Sequence, residues 1–165
     1  MFRSAATAAL LLLPAAPLAA DEFGILNPEE GGISRLAENI AVHPDRVGTL
    51  CWIAYEVQKG GGKDHVAAAE AMTLCAESGN APSMILLAHA YENGSGVPKD
   101  PAMATGWLRR AAETGYSMGE YHYAVALAKG IGTKADPEAA RHWMQRAADH
   151  GSRDAVLALS DGLTN

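Results

Sequence analysis

The chain has 165 residues, of which 13 are Lys or Arg and 19 are Asp or Glu, for a formal net charge of -6. That length suits one ordinary domain, and the acidic balance argues against a nucleic-acid backbone or an anionic membrane surface as the main partner. Apolar residues at 48% against charged residues at 19% speak for a folded chain, and two cysteines are too few for a disulfide-dense miniprotein or a four-sulfur zinc site.

Residues 1–20 read as a secretory signal peptide. Arg3 supplies a positive start, Ala5 to Leu13 an apolar run, and Pro14 and Pro17 a break before the small residues Ala19-Ala20. The apolar run is shorter than the roughly 20 residues a permanent membrane span requires. No cysteine follows the cleavage region, so no lipid attachment is expected. The expectation is cleavage near Ala20 and a periplasmic or secreted protein without a stable membrane anchor. Residues 21–44 form a lead in which Ile33, Leu36, Ala37 and Ile40 fall at helical spacing, predicting a short helix over Ile33 to Ala41.

The rest of the chain repeats itself every 36 residues. Gly94-Ser95-Gly96 returns as Gly130-Ile131-Gly132, Asp100-Pro101 as Asp136-Pro137, Trp107 as Trp143, and Gly115 as Gly151. A weaker copy precedes them, with Tyr55, Gly60, Asp64, Ala68 and Gly79 one period before Tyr91, Gly96, Asp100, Ala104 and Gly115. Three units follow: 45–80, 81–116 and 117–152. Each reads as two helices. In the second unit Met84, Leu87, Ala88 and Tyr91 form one apolar stripe, and Asn93-Gly94-Ser95-Gly96 ends that helix. Asp100 is placed to cap the next helix, with Pro101 at its first position. Ala104, Trp107, Leu108, Ala111 and Ala112 then continue to Gly115. Residues 153–165 begin a fourth unit, with Ala155, Val156 and Leu159 at packing positions, and are expected to act as a capping helix.

Leu87-Ala88-x-x-Tyr91-x-x-Gly94-x-Gly96-Val97-x-x-Asp100, followed by Ala104-x-x-Trp107 and Ala111-Ala112-Glu113-x-Gly115, resembles the Sel1-like repeat, a relative of the tetratricopeptide repeat. The resemblance runs from about Val47 onward and is weakest in the first unit, where Trp52 stands at the position of Ala88 and Ala124, and Ala71 replaces the tryptophan. It implies an all-α fold, an α-solenoid of about three helical hairpins, and a protein-binding adaptor. Cys51 and Cys75 occupy the register positions of Leu87 and Ala111, one on each helix of the first hairpin and both on its inner side. In an exported chain such thiols are expected to form a disulfide; the alternative is two separate buried thiols.

No metalloprotease, EF-hand or nucleophile-elbow motif is present. Gly60-Gly61-Gly62-Lys63 lies between helices and reads as a turn. Six histidines are scattered, and His142 and His150 are too far apart for an i, i+4 ligand pair, so neither a metal nor a cofactor is expected. The resemblance also raises penicillin binding or weak β-lactam hydrolysis, linked to cysteine-rich members of the family. No serine is followed by Lys at the third place, so no catalytic residue is assigned. In tetratricopeptide-like stacks the first helices line the concave face. The positions on them left over after the core set is assigned are Ile53 and Glu56, then Ile85, His89 and Glu92, then Tyr121 and Val125, with Lys129 at the end. This strip is expected to bind a protein or peptide of the bacterial envelope.

Overall fold

Capping residues and glycines 36 positions apart cut the chain into helix pairs in a computed structural model that describes residues 35–42, 47–59 and 65–162. The expected signal peptide, most of the lead, the expected turn over residues 60–64 and the last three residues lie outside the described residues. Eight helices and no strands occur among those described: α1 (Leu36–Val42), α2 (Val47–Lys59), α3 (His65–Glu77), α4 (Ala81–Asn93), α5 (Pro101–Glu113), α6 (Ser117–Lys129), α7 (Pro137–Asp149) and α8 (Arg153–Ser160). Helices α2/α3, α4/α5 and α6/α7 are the three hairpins. Helix α1 packs on α3 and α2, and α8 packs on α7.

Side-chain oxygens satisfy the free N–H groups at the helix starts. Asp100 Oδ1 accepts from the N–H groups of Ala102 and Met103 at 2.9 and 3.0 Å, and Asp136 Oδ1 accepts from Ala139 N–H at 3.0 Å. Asn80 and Ser152 play the same part for α4 and α8, while Tyr116 before α6 offers no side-chain cap. Gly94 and Gly130 close α4 and α6 in the left-handed backbone region. The second glycine of each turn has a different duty. Gly96 and Gly132 also have positive φ, and a Cβ on either would overlap a backbone carbonyl of the preceding second helix, His65 for Gly96 and Pro101 for Gly132. Only a glycine lets one unit seat its turn against the start of the helix before it. Thr105 adds to the junction, its buried hydroxyl donating to the Ile131 carbonyl at 2.6 Å.

The interior falls into three clusters along the stack and is rich in small residues. Ile40, Leu50, Cys51, Ala54, Met72 and Cys75 bury the first hairpin against α1. Met84, Leu87, Ala88, Trp107, Leu108 and Ala111 form the middle, and Ala124, Met144, Ala147, Ala155 and Ala158 the end. Val156 departs from the sequence reading. It is exposed, because the inner side of α8 is taken by Ala155 and Ala158. First helices of successive units touch directly, α2 with α4 and α4 with α6, more than the second helices do. The first helices therefore lie on the inner side of the curve.

Candidate functional site

The inner surface carries two distinct features. The first spans α4 and α6. The His89 ring donates from Nδ1 to Glu92 Oε2 at 3.1 Å, and Asn93 Nδ2 donates to the His89 carbonyl, so this last turn of α4 is fixed by its own side chains. The His122 ring meets the His89 ring edge-on at 5.3 Å and that of Tyr121 at 5.4 Å. Burial, and next the neighbouring His89, hold the His122 pKa below the ordinary 6.5 against the opposite pull of Glu92 and Asp154. His122 is therefore neutral near pH 7, poised between an imidazole and two carboxylates.

The residues expected to form a partner-binding strip do not share one environment. His89, Glu92 and Tyr121 come together with His122. Lys129 is exposed on the last turn of α6, and Glu56 is exposed on α2. Ile85 is not an outward anchor: it is 8% exposed and packs in the middle cluster with Trp107 and Leu108. Ile53 and Val125 are half-buried against the first and last clusters. The reason is geometric. A first helix in a stack is pressed by its own second helix and by both neighbouring units, so the buried arc exceeds the single stripe counted from Leu87, Ala88 and Tyr91. His122 falls outside the expected strip, since its register position holds Leu86 in the preceding unit, which packs partly against the first cluster.

The second feature is an open groove of about 330 Å³ where α2 meets the start of α4. Trp52 and Tyr55 line it from α2, Asn80 and Pro82 from the start of α4, and Tyr116 from the turn before α6. Trp52 is 62% exposed. Among the described residues, none that lines the groove is charged. The floor is stiffened by the expected covalent link. Cys51 and Cys75 form a disulfide with Cα atoms 5.6 Å apart, joining α2 to α3 from positions that are fully buried.

A third notable group is buried beside α7. Glu120 is wholly inaccessible, yet Arg146 Nη2 lies 3.0 Å from its Oε1 and His150 Nδ1 donates to its Oε2 at 2.7 Å. The Arg146 contact is an ion pair whose angles fall outside hydrogen-bond geometry, leaving Oε1 without a hydrogen bond. Arg146 also lies over the Trp143 ring at 4.4 Å, as Arg110 does over Trp107 at 4.2 Å one period earlier. No group of three or more metal-ligating side chains occurs among the described residues.

Three stacked hairpins with capped ends define an α-solenoid repeat protein. Residues 81–116 and 117–152 each match the family model of the Sel1 repeat, so the chain carries two Sel1 repeats. Among solved structures it is similar to a Sel1 repeat protein from Oxalobacter formigenes, with 33% identity over 63% of this chain and 42% of that one, at a TM-score of 0.58. It is also similar to c5321, a protective antigen of uropathogenic Escherichia coli strains displaying an SLR fold, with 26% identity over 79% of this chain and 28% of that one, at a TM-score of 0.67. Cysteine-rich protein B of Helicobacter pylori shares the fold at 19% identity, 76% and 96% coverage and a TM-score of 0.59. The chain thus spans less than half the length of the first two. No curated protein sequence matches it significantly.

Proposed function

We propose that the protein is an exported, non-catalytic adaptor that holds a protein or peptide partner in the bacterial envelope on the inner surface of its solenoid. The observation that carries this reading is the Sel1 repeat pair together with the polar cluster His89, Glu92, Tyr121 and His122, which crosses from one repeat to the next. A surface built from two repeats suits an extended partner laid across them. Export draws support from the signal-like first 20 residues and from the disulfide, which persists in an oxidising compartment. No helix among the described residues is long and apolar enough to cross a membrane.

The test uses a photoreactive amino acid in the full-length protein in cells. Placed at His89 or Glu92, it should capture a defined protein; placed at Met103 or Glu113 on the outer helix α5, it should not. Equal capture from both faces, or none from either, defeats the assignment. Covalent labelling by fluorescent penicillin would replace the adaptor with an acyl-transfer protein.

A further inference from the structure

The 36-residue register gives each junction between first helices the same two positions. They hold Ile53 and Leu86 between α2 and α4, His89 and His122 between α4 and α6, and Val125 and Ala158 between α6 and α8. Ile53 and Leu86 pack on one apolar cluster, and Val125 and Ala158 share another. Of the three pairs only the middle one is ionisable, and there the two rings meet edge-on with centroids 5.3 Å apart.

An apolar pair is indifferent to protons, whereas imidazoles charge in the range around and just below neutrality. The two rings here are not alike. His89 has a carboxylate at its Nδ1, Glu92 at 3.1 Å, and its side chain is 41% exposed. His122 is packed among rings, meeting His89 from α4 and Tyr121 of its own helix edge-on. The charges that bear on it are His89 and Glu92 from α4 and Asp154 from α8; among the described residues none comes from α5 or α7. Burial and then His89 outweigh the two carboxylates, so the packed His122 takes up a proton less readily than a solvated ring would. Acid therefore favours the arrangement in which the rings have parted.

We infer that the His89–His122 contact is a pH-sensitive latch between the second and third repeats, closed while at most one ring is charged and parted by acid that charges both. Two imidazolium rings in contact repel each other, and the junction they hold is part of the inner surface on which the partner is proposed to lie. The latch deepens the adaptor reading, on which its consequence for the partner rests, by adding release in acid. The junctions before and after it carry apolar pairs with no proton to exchange, so the opening is confined to the boundary between α4 and α6.

The experiment needs no partner. Amide hydrogen exchange of the full chain, corrected for the intrinsic effect of pH, is compared between about pH 7.5 and about pH 5. Protection over residues 86–93 and 118–125 should fall by about threefold or more in acid, while the disulfide-linked α2 and α3 serve as the unchanged reference. His89→Ile combined with His122→Leu installs the pair of the preceding junction and should abolish the response. The single variant His122→Gln, which keeps a polar side chain at the site, should abolish it too. In NMR titrations the native His122 ring should have its midpoint below the ordinary 6.5, and His89→Gln should move that midpoint upward by removing the neighbouring charge. Protection that does not change with pH, an equal response in the folded Ile–Leu variant, or a His122 midpoint unmoved by His89→Gln overturns the latch. Capture of a partner at neutral pH is read separately, so the latch can fail while the adaptor reading stands, and the reverse.

Discussion

The first and third hairpins obey the same register and are closed by different forces. In the first, Cys51 and Cys75 are joined covalently, Gly48 stands where Met84 stands one unit later, and Trp52 faces solvent. In the third, the place of Gly48 holds Glu120, and a buried carboxylate tied to Arg146 and His150 closes the hairpin electrostatically. The second hairpin shows the apolar solution, Met84 buried in the cluster that contains Trp107. One backbone plan tolerates a covalent, an ionic and an apolar closure because the alanine positions and capped turns already set the helix spacing. The residue at the register position of Gly48, Met84 and Glu120 is then free to vary, and in the first hairpin the closure lies three residues on, at Cys51.

The largest expected effect comes from removing the covalent closure. Replacing Cys51 and Cys75 together by Ser should lower stability by about 3 kcal/mol on the chain-entropy account of a loop of this length, measured by urea denaturation. A loss under about 1 kcal/mol would mean that the first hairpin is held mainly by packing, like the second.

The ionic closure comes next. Arg146→Met leaves Glu120 buried with His150 as its remaining neighbour and should cost about 2 kcal/mol, below the range for a fully orphaned buried charge. Glu120→Met installs the residue of the second hairpin and should be neutral or stabilising, because it removes a desolvated carboxylate and frees Arg146, which is 39% exposed, to hydrate. If both variants lose equally, Glu120 contributes more than its charge. Asp100→Ala, outside both hairpins under comparison, provides a reference loss of about 1 kcal/mol for a doubly accepting cap.

The smallest effect is a pH slope. The native His122 imidazole resists protonation, by burial and then by the nearby His89, while its unfolded counterpart titrates at the ordinary 6.5. Between 6.5 and the lower native value the unfolded chain binds more protons, so stability falls as pH drops through that window and stops falling below it. His122→Gln should flatten this part of the profile in thermal melts taken across the range, and an unchanged slope would place its origin elsewhere.

Much of the helical plan was legible in the residues. Asp100, Asp136, Gly94 and Gly130 act locally, on backbone groups within a few positions, so their roles follow from chemistry and spacing alone. The Cys51–Cys75 link was legible for a related reason: a repeat register converts a sequence offset into a place in space. The binding strip was legible only in part. His89 and Glu92 sit four and one residues from Asn93 and organise their own turn, but their meeting with His122 depends on how α6 lies against α4.

By itself, then, the sequence determined where α5 and α7 begin, where α4 and α6 end, and that the units repeat, and it brought two cysteines to facing register positions. Tertiary packing alone decided that Ile85 is interior, that Glu120 is wholly enclosed by partners from α7 and its C-terminal cap, and that Gly48 opens onto a groove with Trp52. Caps and turns are short-range and leave a trace in neighbouring letters. Burial around a first helix is the sum of contacts from three directions, each arriving from a different helix of the stack.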